Sequence, residues 1–410
     1  MKITVHRGAN QIGGCVTEIA SGHSKILIDL GNNLPGSETA DFTKEEVVRL
    51  CEDVDAIFYT HYHSDHIGHV ADIPNNVKQY SGAEAKEILL CKFNVLSKHI
   101  DCQDTIDAIN RMECYHTNKS VSINGGEIKV TPYFVSHSAA DAYMFKIETE
   151  GHIILHTGDF RQHGYLGKGL FPTLGNYFKQ VDFLIIEGTM LSRSDEKVKH
   201  EITIKHEATK LLREKPRKHL LTLCSTTDMD RLASFHSACK DTDAMFVCDH
   251  YQKQILDIFT AHHGKKSKLY DFGDTTVINA SIFDLMKQKS FIMPVRPSMT
   301  NFVKKILRRF PDTELIYSMW KGYYCGTEKQ INPNIKELVD MFKGKVHYLH
   351  TSGHADIETL KKVCNTVRPR LGIIPIHKDK ATHFEQLPIS KTYNIISSPA
   401  QIGNIIIETQ

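Results

Sequence analysis

Residues 60–69 read Thr-His-Tyr-His-Ser-Asp-His-Ile-Gly-His, and no other stretch limits the fold so tightly. His61, His63, Asp65 and His66 place three imidazoles and a carboxylate within six residues. Imidazole nitrogen and carboxylate oxygen are ligands that divalent zinc accepts. Two metals could share the run, one held by His61 and His63, the other by Asp65 and His66. The apolar stretch Ala56-Ile57-Phe58-Tyr59 precedes it and reads as a buried strand. The run therefore sits where a strand gives way to a loop, and a sheet can hold the ligands rigid. A solvated histidine-rich loop is the ordinary alternative in a chain with 24 histidines. An ordered ligand motif outweighs it.

Four more segments place ligand-capable residues at strand ends. Asp29 ends the apolar strand Lys25-Ile26-Leu27-Ile28, just before Gly31. There it either holds a ligand imidazole by its second nitrogen or makes a strand-end turn. His137 follows the apolar strand 128–135, Asp159 follows another at 152–156, and His377 follows Gly372-Ile373-Ile374-Pro375-Ile376. Each is ordinary alone; their common position at strand ends is not.

The chain has 410 residues, enough for two or three core-forming units. Its 41% hydrophobic and 24% charged content is that of a globular protein. The start, Met1 to Arg7, alternates apolar and polar residues and reads as a first strand, with no signal peptide expected. Apolar runs such as Phe183 to Ile186 are too short to cross a bilayer. The ten cysteines are scattered, with no Cys-x-x-Cys. Free thiols in a reducing cytoplasm, each a small core residue, are the expectation. Residues 191–345 hold 27 Lys and Arg against 19 Asp and Glu, while the remainder holds 23 against 29. A basic segment beside a metal centre suits a polyanion; solvated helix faces are the alternative.

Strands are expected at 2–6, 14–20, 25–29, 55–60, 128–135, 143–149 and 152–156, and helices at 43–52 and 83–99. This suggests two sheets with helices outside. From about 200 the pattern alternates: 200–213, 219–224, 228–239, 244–248, 251–261, 290–294, 299–309 and 314–318. That is the rhythm of a parallel sheet. Strand, helix and strand return at 346–350, 355–366 and 371–376, with a last strand near 393–408. One domain interrupted by another is the economical reading.

With these residues in view, the sequence resembles the metallo-β-lactamase superfamily, whose signature is His-x-His-x-Asp-His. Glu187 in Leu184-Ile185-Ile186-Glu187-Gly188-Thr189, His354 in Ser352-Gly353-His354-Ala355 and His377 in Ile374-Pro375-Ile376-His377 resemble motifs of its β-CASP, nucleic-acid-processing branch. Within that branch the chain is most similar to the ribonuclease J family, and Gly13-Gly14 also matches. The resemblance implies an α/β fold: an αββα metallo-β-lactamase sandwich, residues 1–190 and 346–410, with an inserted α/β β-CASP domain at 191–345. It implies two divalent metals, zinc or else manganese. His61, His63 and His137 would hold one, Asp65, His66 and His377 the other, and Asp159 both. Hydroxide attack on phosphorus would leave a 5′-phosphate. Asp65 and Asp29 would belong to the catalytic set. His354 would contact phosphate or act as general acid, with Glu187 orienting it, and Ser352 and Gly353 would line the substrate path.

One stretch departs from the family. A Gly-Ser-Gln-Gly loop that grips RNA phosphates in ribonuclease J is here Tyr317-Ser318-Met319-Trp320-Lys321-Gly322-Tyr323-Tyr324. Ser318 and Lys321 are its candidate phosphate contacts, and its aromatic rings could stack on bases; a buried turn with a core Trp320 is the alternative. Ser225-Thr226-Thr227-Asp228 either cradles a phosphate or simply caps a helix. The C-terminal domain that supports dimers in ribonuclease J is not expected here, and the oligomeric state stays open.

A metal-dependent ribonuclease of the cytoplasm, with RNA or single-stranded DNA as partner and no membrane, is the first expectation. A DNA nuclease of the same fold is the alternative, since no residue reads a 2′-hydroxyl. A small-molecule hydrolase would not need a basic insert, and a non-catalytic binding subunit should have lost ligands.

Overall fold

Ile3 and Val5, Ile26 and Ile28, and Ala56 and Phe58 are each spaced two apart, so each pair points to one face of its strand. In the computed structural model, which describes residues 1–193, 196–279, 281–397 and 405–409, those faces meet Ile128, Val130, Phe145, Ile147, Ile154, Ile185 and Ile374 in one buried cluster. The strands that contribute form two sheets. The first contains β1 (Lys2–Arg7), β2 (Val16–Ser21), β3 (Ser24–Ile28), β4 (Ala56–Phe58), β5 (Lys78–Ser81) and β6 (Glu113–Cys114), with β19 (Ile405–Glu408) beside β1. The second contains β7 (Val121–Ile123), β8 (Ile128–Val135), β9 (Ala142–Thr149), β10 (His152–His156) and β11 (Phe183–Glu187), with β18 (Gly372–Ile376) beside β11.

Residues one position along the second sheet face the other way. Leu155, Leu184, Ile186 and Ile373 pack with Leu170, Leu174, Leu360 and Val363 from helices Leu170–Tyr177 and Ile357–Val367. Leu27 and Ile57, on the opposite face of the first sheet, are also fully buried. Helices Lys44–Leu50 and Ala83–Leu96 bury Val47, Ile88 and Leu89. The layers run helix, sheet, sheet, helix: the αββα sandwich that the resemblance implies.

The chain divides into two compact units. The first is Met1–Gln162, Leu166–Glu196 and Gly353–Gln410; the second is His163–Tyr165 and Lys197–Ser352. In the second unit β12 (His219–Leu223), β13 (Met245–Cys248), β14 (Thr276–Val277), β15 (Phe291–Val295), β16 (Glu314–Tyr317) and β17 (Val346–Tyr348) form one sheet in the order β14-β13-β15-β12-β16-β17. Every pairing in it is parallel. Its core includes Leu221, Leu223, Met293, Val295, Leu315 and Tyr317. The expected return to the first domain at 346 comes later, because β17 pairs with β16 and the first unit resumes at Gly353.

The helix Gln103–Arg111 was not expected from the sequence, since among its nine residues only Ile106, Ala108 and Ile109 are buried. Of the strand expected near 393–408, Ile405–Glu408 is strand, and residues 398–404 lie outside the described residues. Among the described residues no helix is long and apolar enough to cross a membrane.

Candidate metal centre

Strand direction gathers the chemistry. β3 and β4 run parallel, so Asp29 and the 59–63 segment leave the first sheet on the same side. In the second sheet β10, β11 and β18 are parallel, and β8 shares their direction through two antiparallel steps. His137, Asp159, Glu187 and His377 therefore emerge at one edge. Backbone bonds tie the 60–69 loop to the segment beside it: Leu30 N–H donates to His66 O (2.8 Å), Asn32 N–H to Ser64 O (2.9 Å) and Cys15 N–H to Asp65 O (3.0 Å). Gly31 permits this approach, because a Cβ there would lie 1.8 Å from Asp65 O. Asp29 (φ 61°) and His377 (φ 49°) both have left-handed backbone, a conformation that costs about 1–3 kcal/mol in a residue other than glycine and collects at functional sites.

Each imidazole is held by one nitrogen. Asp29 Oδ2 accepts from His66 Nδ1 (2.7 Å) and from Thr60 Oγ1 (2.8 Å), and Asp29 Oδ1 accepts from Thr60 N–H (2.7 Å). With its proton given to Asp29, the Thr60 hydroxyl accepts from His61 Nδ1 at 3.0 Å. One carboxylate thus sets the tautomers of two histidines. His137 Nδ1 donates to Gly353 O (2.7 Å). The Thr189 hydroxyl donates to His377 O (3.2 Å) and accepts from His377 Nδ1 (2.6 Å). In all four histidines Nε2 is left to the interior.

Those nitrogens crowd around carboxylates. Asp159 Oδ2 lies 3.1 Å from His66 Nε2, 3.6 Å from His377 Nε2, 3.9 Å from His137 Nε2 and 4.0 Å from His61 Nε2. Asp65 Oδ2 lies 3.2 Å from His377 Nε2 and 3.8 Å from His66 Nε2. His63 Nδ1 and His137 Nε2 are 3.2 Å apart, close to the roughly 3.3 Å between two nitrogens on one tetrahedral zinc. His61 Nε2 and His66 Nε2 are buried and make no hydrogen bond; the close approach of His66 to Asp159 lacks the angle for one. The ligand atoms of His61, His63 and His137 lie within 4.8 Å of one another, as do those of His61, His66 and Asp159. Buried imidazole nitrogens with no hydrogen-bond partner, beside carboxylates, suit a divalent metal.

The electrostatics agree. Burial, the largest influence, pushes the His61 and His137 imidazoles well below their usual range and His63 down to about 4. All three are neutral, the form that binds metal. Burial opposes ionisation of Asp65 and Asp159, but neighbouring imidazoles outweigh it and hold both carboxyls below the usual range. His66 is raised despite burial, because Asp159, Asp29 and Asp65 surround it.

His354, beside these groups, is partly exposed. Its Nδ1 donates to Glu187 Oε2 at 3.0 Å and lies 3.7 Å from Asp159 Oδ2. Burial works against protonation, and the Glu187 and Asp159 carboxylates outweigh it, so this imidazole is raised. Glu187 Oε1 also accepts from Ala355 N–H (3.2 Å) and Phe160 N–H (3.3 Å).

The remaining substrate candidates sit differently. Gly353 spends its carbonyl on His137, and a Cβ there would lie 2.3 Å from Ser138 Oγ. Ser352 is buried, and its carbonyl accepts from His163 Nε2 (2.7 Å). The Ser352 and Gly353 carbonyls thus each accept from a histidine. Ser318 is a correction: it is buried, and its hydroxyl accepts from Arg231 (2.5 Å) and donates to Leu349 O, so it is committed to the interior of the second unit. Lys321 is exposed, with Nζ 4.1 Å from the centre of the Tyr348 ring. Trp320 is half-buried, edge-on to Tyr323. Asp228 caps helix Met229–Lys240 by accepting from Arg231 N–H.

Sequence reasoning gave no role to Thr60, Thr189 or Cys15. The two threonines lie inside segments already singled out, Thr60 beside His61 and Thr189 two residues after Glu187. A lone hydroxyl has no spacing pattern to betray it. Cys15 was assigned to the core; it is buried against His66 and His377, its sulfur and their nitrogens within 4.8 Å of one another. Burial first, then Asp159, Asp29, Asp65 and Glu187, push its thiol up.

Comparison with known proteins agrees with this geometry. Residues 24–222 match the Beta-lactamase superfamily domain, and residues 341–397 match the Zn-dependent metallo-hydrolase RNA specificity domain. A ribonuclease J from Mycoplasma pneumoniae is 23% identical over 407 residues, covering 92% of this chain and 67% of the relative. A crystal structure of a protein of unknown function from Enterococcus faecalis V583 shares the fold, with a TM-score of 0.73, 19% identity and 99% of each chain covered. The signature run, the sandwich that presents it and both matched domains place this chain in the metallo-β-lactamase superfamily, in its β-CASP, ribonuclease J-like branch.

Proposed function

We propose that this chain is a divalent-metal-dependent phosphodiesterase that acts on RNA in the cytoplasm, with zinc as its metal. The observation that carries this reading is the position of Asp159, whose Oδ2 lies within 4.0 Å of His61, His66, His137 and His377. A carboxylate so placed suits two ions that share it. His61, His63 and His137 would hold one ion; Asp65, His66 and His377 would hold the other. Bound divalent ions supply Lewis acidity that makes water a nucleophile near neutral pH and offsets charge on a phosphate.

The chain's own residues do the rest. Asp29, Thr60, Thr189 and the Gly353 carbonyl fix the ligand tautomers. Glu187 holds His354 by Nδ1 and fixes the orientation of its ring. In hydrolysis the water gives one proton to solvent, its oxygen bonds to phosphorus and the P–O3′ bond breaks. The leaving oxygen takes the proton from His354 Nε2, giving a 3′-hydroxyl and a 5′-phosphate. We read the second unit as the β-CASP insert that binds the polyanion. Its basic excess supports this, and the likeness to a ribonuclease J supports RNA as the polyanion. Lys321 is its phosphate contact, and Ser352 and Gly353 position the substrate side of the centre.

The test is an assay panel with 5′- and 3′-labelled RNA and single-stranded DNA, each with monophosphate, triphosphate or hydroxyl ends, in zinc, manganese or magnesium. RNA should be cleaved and DNA spared. Mononucleotides first would mark an exonuclease, and internal fragments an endonuclease. Equal cleavage of DNA would replace the RNA reading with the DNA nuclease one.

A further inference from the structure

Cys15 immediately precedes β2, and its backbone is bonded to the ligand loop and to the segment beside it. Its N–H donates to Asp65 O (3.0 Å), and its carbonyl accepts from Gly31 N–H (3.3 Å). Its side chain is 2% exposed. Gly8 (φ 103°) leaves the sulfur room, since a Cβ there would lie 3.1 Å from Sγ. Sγ and one nitrogen each of His66 and His377 lie within 4.8 Å of one another. Two donors on one tetrahedral zinc, with bonds of about 2.3 Å for sulfur and about 2.0 Å for nitrogen, lie about 3.5 Å apart. An inward movement of up to about 1.3 Å lets one ion touch all three. A second observation points to an ion here: His66 gives Nδ1 to Asp29, and its Nε2 is buried without a hydrogen bond. Among the described residues Cys15 is the only cysteine in any cluster of potential ligands.

We propose that Cys15 is a ligand of the ion held by Asp65, His66 and His377, and that its sulfur makes this site selective for thiophilic metals. The inference rests on the metal-centre reading above. On binding, the Sγ–H bond breaks, its proton passes to solvent, and the thiolate sulfur bonds the ion. Thiolate favours zinc, cobalt or cadmium over manganese and magnesium.

The experiment uses the full chain loaded with cobalt(II) and with zinc, beside Cys15→Ser and Cys15→Ala. Wild type should show a sulfur-to-cobalt charge-transfer band in the near ultraviolet, and X-ray absorption should show sulfur about 2.3 Å from zinc. Both variants should lose the band, and their zinc affinity in chelator competition should fall at least about tenfold, with manganese affinity changed less. Ions bound without sulfur in wild type, or an unchanged band in the variants, would overturn the Cys15 assignment and leave the metal centre standing. No ion bound at all would overturn both. If a variant fails to fold by circular dichroism, the wild-type spectra still decide.

Discussion

Asp29 fixes two imidazoles of the candidate centre, His66 directly and His61 through the Thr60 hydroxyl. Replacing Asp29 with Ala should weaken metal binding about 10–100-fold in chelator competition; unchanged affinity would mean that the carboxylate serves only the turn. His354 behaves oppositely in our account. His354→Ala should slow hydrolysis by about 10²–10⁴-fold with metal content intact, and loss of metal would show that it is a ligand. Buried His156 gives a pH test on the metal-free protein. Its Nδ1 accepts from Gly158 N–H at 3.2 Å, its Nε2 has no partner, and burial pushes it down to about 4. Because the folded value lies below the unfolded value of about 6.5, His156 contributes stability above that value and loses it as pH falls toward 4. Urea unfolding at pH 7 and pH 5 should show a loss that His156→Asn reduces by on the order of 2 kcal/mol; equal losses would refute the neutral buried imidazole.

At the scale of elements, a buried charge pair ties two helices of the second unit together. Arg231, on helix Met229–Lys240, donates to Glu201 Oε1 (2.8 Å) and Oε2 (3.0 Å) on helix Glu201–Arg213. It also reaches Ser318 O (3.1 Å) and Thr351 O (3.0 Å), and both charged side chains are buried. Arg231→Met should cost about 3–5 kcal/mol in denaturant unfolding, because it strands a buried carboxylate. The double replacement Arg231→Met with Glu201→Met should cost less than the single, and a purely additive result would contradict this. The same pair explains why Ser318 misled the sequence reading. Its hydroxyl marks a strand end, as a phosphate contact would, but only the fold shows that Arg231 and Leu349 have taken it. Strand ends themselves were legible, since short apolar runs stop abruptly before Asp29, His61, His137, Asp159 and His377. The threonines that set their tautomers were not, because a single hydroxyl carries no periodicity. The helix Gln103–Arg111 escaped for a related reason, its apolar stripe being too narrow to stand out.

For the whole molecule, alternation in the strands was enough to read a sandwich, and the change of rhythm near 200 was enough to read a parallel insert. What the linear pattern did not carry was where the chain crosses back, because β17 continues the insert's sheet by a parallel pairing invisible to local sequence. In this organisation the sandwich edge gathers the candidate ligands, and the second unit carries the basic excess. Lys321→Ala should weaken RNA binding across all sequences and lower the salt slope by about one, measured by filter binding; a change confined to particular sequences would mean base stacking instead. The most direct test of the central claim combines metal analysis with cleavage of labelled RNA, in wild type and in Asp159→Ala. The account predicts about two divalent ions per wild-type chain and products ending in 5′-phosphate, with both ion content and cleavage collapsing in the variant. Full cleavage by Asp159→Ala, or by wild type stripped of metal, would contradict it.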